Sequence, residues 1–101
     1  MDHQLRIYRL KPGRLPSFLE LWRDHIVPAR RANAFDVVGA WVDEEGDEFA
    51  WVVRYSGEDG FAAGDARYYS SAERMALPYD PRDDIARADL RMLDAVVVPP
   101  A

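Results

Sequence analysis

By type and spacing, His25 is the side chain best suited to proton transfer. It follows Phe18 by seven residues and Trp22 by three, so on a helix it borders their apolar stripe. There it could serve as a general base or proton donor facing a pocket between helix and sheet. It could equally pack its ring at the helix edge and bond a neighbour. His3 lies near the chain terminus and reads as a surface group. Two histidines so placed have no metal-ligand spacing, and no metal is expected.

Arg54 is the odd residue of an otherwise apolar stretch, Phe49–Tyr55 (FAWVVRY). Buried there, it needs a carboxylate partner or an anionic ligand. Arg67, followed by Tyr68 and Tyr69, falls near the end of a helical stretch, where a cation also suits the helix dipole. Tyr8, Trp22, Trp41, Trp51 and Tyr55 could line an aromatic pocket for a planar metabolite, or simply fill a small core. The candidate ligand-binding set is therefore Tyr8, Trp22, Trp41, Trp51, Arg54, Arg67 and Tyr69, with His25 as the candidate catalytic residue.

Several chemistries are excluded outright. With no cysteine there is no disulfide, no thiol nucleophile and no Cys-ligated zinc or iron–sulfur site. The acidic segment Asp43–Glu48 (DEEGDE) lacks the spacing of a calcium-binding loop and reads as a solvated hairpin tip. No phosphate-cradling glycine loop, nucleophile elbow or Ser-His-Asp spacing stands out. No histidine is placed on the second helix to ligate haem, and no cofactor is expected. A net charge of −5 argues against general affinity for nucleic acid or anionic membranes.

The elements that must position these residues follow from periodicity. Leu5–Leu10 (LRIYRL) alternates as a strand and is broken by Lys11-Pro12-Gly13. Leu15, Phe18, Leu19, Trp22, Ile26 and Ala29 then recur at helical spacing, with Glu20, Arg23, Asp24 and Arg30 off that stripe. Pro16 is tolerated in the first turn, whereas Pro28 should kink or restart the helix, which fades at Asn33. Asp36–Val42 and Phe49–Tyr55 read as a hairpin, with Gly46 available for a positive φ in the turn. Ser56–Gly60 opens a second helix through about Tyr69, weakened by Gly64. Ser71–Leu77 and Asp80–Ala86 supply short helical turns, and Ala88–Val98 reads as the fourth strand before Pro99-Pro100.

The order β-α-β-β-α-β predicts one α+β domain of 101 residues: a ferredoxin-like fold with a four-stranded antiparallel sheet. Both faces of the central strands are apolar. Phe49, Trp51, Val53 and Tyr55 oppose Ala50, Val52 and Arg54, while Val37, Gly39 and Trp41 oppose Val38, Ala40 and Val42. Two helices cover one face of such a sheet, so the other calls for cover of its own. A second copy, sheet against sheet, is the simplest cover and predicts a homodimer. No run is apolar enough to span a bilayer, no leader segment is recognisable, and a cytoplasmic location is expected. Lys11 is the only lysine among 13 basic residues, a bias that fits a GC-rich bacterial source.

Five segments together resemble the NIPSNAP family: Leu5–Gly13 (LRIYRLKPG), Phe18–Pro28 (FLELWRDHIVP), Val37–Val42 (VVGAWV), Arg67–Leu77 (RYYSSAERMAL) and the DPRDDIARADLRML run from Asp80. The likeness lies in their order and spacing across nearly the whole chain. It implies a dimeric α/β barrel, two four-stranded sheets facing each other across a dimer. Trp51–Tyr55 (WVVRY) departs from the Trp-Ala-Tyr-like run, preceded by histidine or tryptophan, of many relatives. The superfamily hosts monooxygenases, isomerases, cyclases and haem proteins, so the resemblance specifies a fold more than a reaction.

Three kinds of function remain. The first is a homodimer binding a small apolar or aromatic metabolite between sheet and helices. An enzymatic version of it is a cofactor-free monooxygenase or an isomerase or cyclase. The second is a non-catalytic scaffolding dimer. The third, an RNA-recognition module, shares the strand order but lacks the glycine-aromatic signature and the basic charge.

Overall fold

The computed structural model describes every residue from Met1 to Ala101. Strand β1 (Asp2–Leu10) leads into a first helix made of three consecutive segments: α-helical Leu15–Leu21, a π-helical turn Trp22–Ile26 and α-helical Val27–Arg31. Strands β2 (Phe35–Asp43) and β3 (Glu48–Tyr55) form the hairpin. A second helix (Phe61–Tyr69), a short helix (Ala72–Met75) and a 3-10 turn (Pro81–Asp83) precede β4 (Ile85–Leu93). The strands pair antiparallel in the order β2-β3-β1-β4. This is the ferredoxin-like α+β arrangement anticipated from element order. No helix is long and apolar enough to cross a membrane.

Pro28 acts one turn upstream of itself. Lacking an N–H, it leaves the Asp24 carbonyl without its usual helical donor. The backbone widens to a π-turn instead, and the Val27 N–H donates to the Trp22 carbonyl five residues back. A π-turn delays the helical phase by about one residue. Beyond it, Ile26, Val27, Ala29 and Arg30 face the core, and His25 turns outward to solvent. This reverses the expectation that Arg30 lies off the buried stripe.

A bulge in β2 has a similar effect. Val37 pairs with Val53, but Gly39 pairs with Val52, so one residue is gained at Val38. Val37 therefore faces the helices, whereas Gly39 and Trp41 lie on the opposite face, contrary to the single-face reading of these three. The Trp41 indole lies over Gly39, whose missing side chain makes room for it.

The remaining differences are at ends and turns. Strand β4 starts at Ile85 rather than Ala88 and stops at Leu93, because β1 runs out of partners where His3 pairs with Leu93. Val96, Val97 and Val98 thus lie outside the sheet and are exposed. In the hairpin turn the positive φ falls on Asp47, at 51°, not on Gly46. Aspartate tolerates that region better than most residues.

The core lies between the sheet and the helices, where Phe18, Phe49, Trp51, Val53 and Tyr68 are almost fully buried. Their rings meet edge to face, as Trp22 does with Trp51 at 5.7 Å. On the other face Leu5, Ile7, Ala50 and Val52 are only partly covered, and Trp41 is 60% exposed.

Candidate functional site

A cavity of about 180 Å³ opens between the helix-facing side of the sheet and the segment that follows the second helix. Strand parity supplies its floor. Arg6 and Tyr8 of β1 point the same way as Trp51 of β3, which is the register partner of Arg6. The π-turn supplies one wall by rotating Ile26 and Arg30 inward. Tyr68 and Tyr69, from the last turn of the second helix, supply another. Arg74, Pro81 and Arg82 close the far side, next to Ile85 and Ala88 of β4.

Arg6 is buried at 5% exposure. Its Nε donates to the Tyr8 hydroxyl at 2.6 Å, its Nη1 to Gln4 Oε1 at 2.6 Å and its Nη2 to the Tyr69 hydroxyl at 2.9 Å. Burial works against its charge, but the neighbouring Tyr8 and Tyr69 hydroxyls and Asp65 outweigh it, and the pKa stands above the ordinary arginine value. Arg30 is still more buried and donates from Nη1 to Asp65 at 2.7 Å. Its guanidinium lies over the Tyr68 ring, 3.9 Å from the centroid. Burial pushes the Tyr68 phenol up, with Arg30 and Arg74 pulling the other way. Arg74 and Arg82 share Asp80, at 3.3 and 2.8 Å. The Arg82 side chain and its backbone N–H hold the Asp80 carboxyl down to about 2. Asp80 also caps the 3-10 turn by accepting that N–H.

Of the residues singled out from sequence, Tyr8, Trp51 and Tyr69 meet at this cavity. The others do not. Trp22 packs in the core against Phe49 and Trp51. Trp41 lies on the far face of the sheet. Arg54 is half-exposed and paired with Asp36 at 3.4 Å, the salt bridge weighed as its alternative. Arg67 forms an ion pair with Asp59 and donates to the Tyr55 hydroxyl at 3.0 Å, which pins that ring. His25 is exposed in a shallow outer groove with Ser17, Glu20 and Tyr79, away from the cavity. Sequence reasoning missed Arg6, Arg30, Tyr68, Arg74 and Arg82. Arg6 did carry a signal, since it shares strand parity with Tyr8 and Leu10.

The NIPSNAP family model matches residues 3–98. The chain belongs to the NIPSNAP family. No curated protein matches it. Among solved structures, a NIPSNAP family protein of unknown function from Agrobacterium tumefaciens is 24% identical with a TM-score of 0.82, over 99% of this chain and 92% of that one. An uncharacterised NIPSNAP domain protein from Burkholderia xenovorans is 18% identical with a TM-score of 0.80 over the whole of both chains. An antibiotic biosynthesis monooxygenase is 16% identical with a TM-score of 0.68, over 96% of this chain and 100% of that one. Similarity at this level shows that the fold is common to all three and leaves the activity open.

Proposed function

We propose that this NIPSNAP chain is a homodimer that binds a small aromatic metabolite in the cavity beneath the second helix. The observation that carries the reading is the cavity wall, where the rings of Tyr8, Trp51, Tyr68 and Tyr69 meet at a space of about 180 Å³. A cavity of roughly 150 Å³ lined by apolar side chains already takes a benzene ring. One ring with a small substituent therefore fits.

The dimer half of the proposal rests on the opposite face. Leu5, Ile7, Ala50 and Val52 form an apolar strip there, flanked by the exposed Trp41 and Leu93. The chain exposes 6470 Å², whereas a monomer of 11.6 kDa typically exposes about 5,800 Å². Part of the excess is the tail after Leu93, and the sheet face contributes as well. Light scattering after size exclusion should return twice the 11.6 kDa chain mass at micromolar concentration. A monomer would remove the dimer from the proposal.

A second reading is cofactor-free oxygenation or isomerisation of the same ligand, favoured by the fold shared with the antibiotic biosynthesis monooxygenase. Such chemistry calls for a base near the ligand. No carboxylate or imidazole lines the cavity, and Asp65 is engaged by Arg30. Binding is therefore the first reading and turnover the second. Incubating the protein in air with single-ring aromatics and following the products by mass spectrometry separates them. A scaffolding dimer would give the dimer mass and bind no member of the panel.

A further inference from the structure

We propose that the ligand of this cavity is a single-ring aromatic carboxylate, its carboxylate held by Arg6 together with the phenols of Tyr8 and Tyr69. The inference rests on the reading of the cavity as an aromatic-ligand site and adds the charge and the anchoring residues.

The first ground is unbalanced charge. Four arginines line the cavity, and the carboxylates paired with them are two: Asp65 on Arg30, and Asp80 shared by Arg74 and Arg82. Arg6 has none. A guanidinium withdrawn from water ordinarily takes a carboxylate partner, because neutral acceptors compensate its lost hydration poorly. Arg6 instead rests on two phenols and an amide. The excess of cations stands out in a chain whose net charge is −5.

The second ground is the donors left over. A guanidinium has five N–H bonds, and three of those on Arg6 are used. Tyr8 and Tyr69 accept from Arg6 through their oxygens, and each keeps its own O–H to give. Two N–H and two O–H donors thus surround one cation. An ionised carboxylate has about four lone-pair sites to receive them. A neutral ligand would answer the geometry and leave the charge unmatched.

The third ground lies around the ring. The buried Trp51 Nε1–H and Arg30 Nε–H have no acceptor in the chain. The Trp51 ring lies 5.8 Å from the Arg6 guanidinium and 5.9 Å from that of Arg30. This wall is both aromatic and electropositive, which suits an electron-rich ring that carries an anion. A space of about 180 Å³ holds one ring and a carboxylate.

Calorimetric titration of the purified protein tests this with benzoate and its 2-hydroxy and 4-hydroxy derivatives, each beside the matching neutral amide. At least one acid should bind ten or more times tighter than its amide. Tyr69→Phe removes one donor from a half-exposed side chain, so the fold should survive, and the acid should lose roughly tenfold in affinity while the amide is little changed. Arg6→Lys keeps a charge but loses the fork, and should erase most of the preference. Equal affinity for acid and amide would overturn the carboxylate assignment and leave the aromatic site standing. Acid binding that ignores both substitutions would place the anion elsewhere and overturn it too. If neither acids nor amides bind at millimolar concentration, the carboxylate assignment and the aromatic-site reading fall together.

Discussion

Replacing Gly64 by alanine sets local helix propensity directly against tertiary packing. In an isolated helix the change is favourable by about 1 kcal/mol. Here a Cβ on Gly64 would sit 2.5 to 2.8 Å from three carbons of the Tyr55 ring, well inside the ordinary contact of about 3.5–4.0 Å. The ring has nowhere to go. It packs on Phe35 at 4.7 Å, is 4% exposed, and its hydroxyl donates to Asp59 at 2.6 Å. Overpacking a filled core costs about 1–3 kcal/mol, and a ring that moved by an ångström would also strain its bonds to Asp59 and Arg67. The net is a loss of up to about 2 kcal/mol, which for a domain of this length lowers Tm by up to roughly 16 °C. Thermal melts at one fixed protein concentration check this, since any dimer would make Tm concentration-dependent. Ala63→Gly, at the exposed neighbouring position, isolates propensity and should cost about 1 kcal/mol. In a Tyr55→Leu background, Gly64→Ala should become neutral or stabilising, because the clash is gone. A Gly64→Ala protein that melts above wild type would refute the packing argument.

Trp51→Ala removes a ring from a position 1% exposed and should cost about 3–5 kcal/mol through the cavity it leaves, seen as loss of the cooperative melt, whereas Trp41→Asp should leave the protomer folded and halve the mass found by light scattering. A Trp41→Asp protein that keeps the wild-type mass would speak against the sheet face as the interface. Asp80 has a folded pKa of about 2 against an ordinary 3.8, so its contribution to stability is present above about pH 4 and lost as pH falls toward 2. Asp80→Asn should therefore melt below wild type at neutral pH, with the gap closing on acidification; a gap unchanged at pH 2 would contradict the ion-pair origin. His25→Ala, at an exposed site outside the cavity, should change stability by no more than about 0.5 kcal/mol and leave aromatic binding intact. Weakened binding in that variant would restore His25 as a site residue.

What could be read from the sequence were the features carried by short-range pattern. The switch of apolar period from two to 3.6 and back marks strands and helices, and their order specifies the ferredoxin-like α+β class. The segments that resemble NIPSNAP proteins are the ones the family match then spans, at residues 3–98. Tyr8 and Trp51 could be read as inner-face aromatics of a small sheet, and Tyr69 as a helix-end aromatic, and the fold brings all three to one cavity. Several of the differences trace to events that pattern does not register. The π-turn before Pro28 shifts the helical phase by one residue, bringing Arg30 in and turning His25 out. The bulge at Val38 shifts strand parity by one and sends Trp41 to the opposite face. Strand β4 ends where its partner β1 ends, although its own apolar run continues through Val98. Gly64 reads as a weak helix residue, and only the Tyr55 ring lying against it from across the core makes it a requirement of the packing. Arg6 reads as a polar interruption of a strand, because no local rule lets a buried cation rest on phenols contributed by residues 2 and 63 positions away. Periodicity counts residues along one element, while which side chains share a cavity depends on register and phase between elements, and one inserted residue changes both.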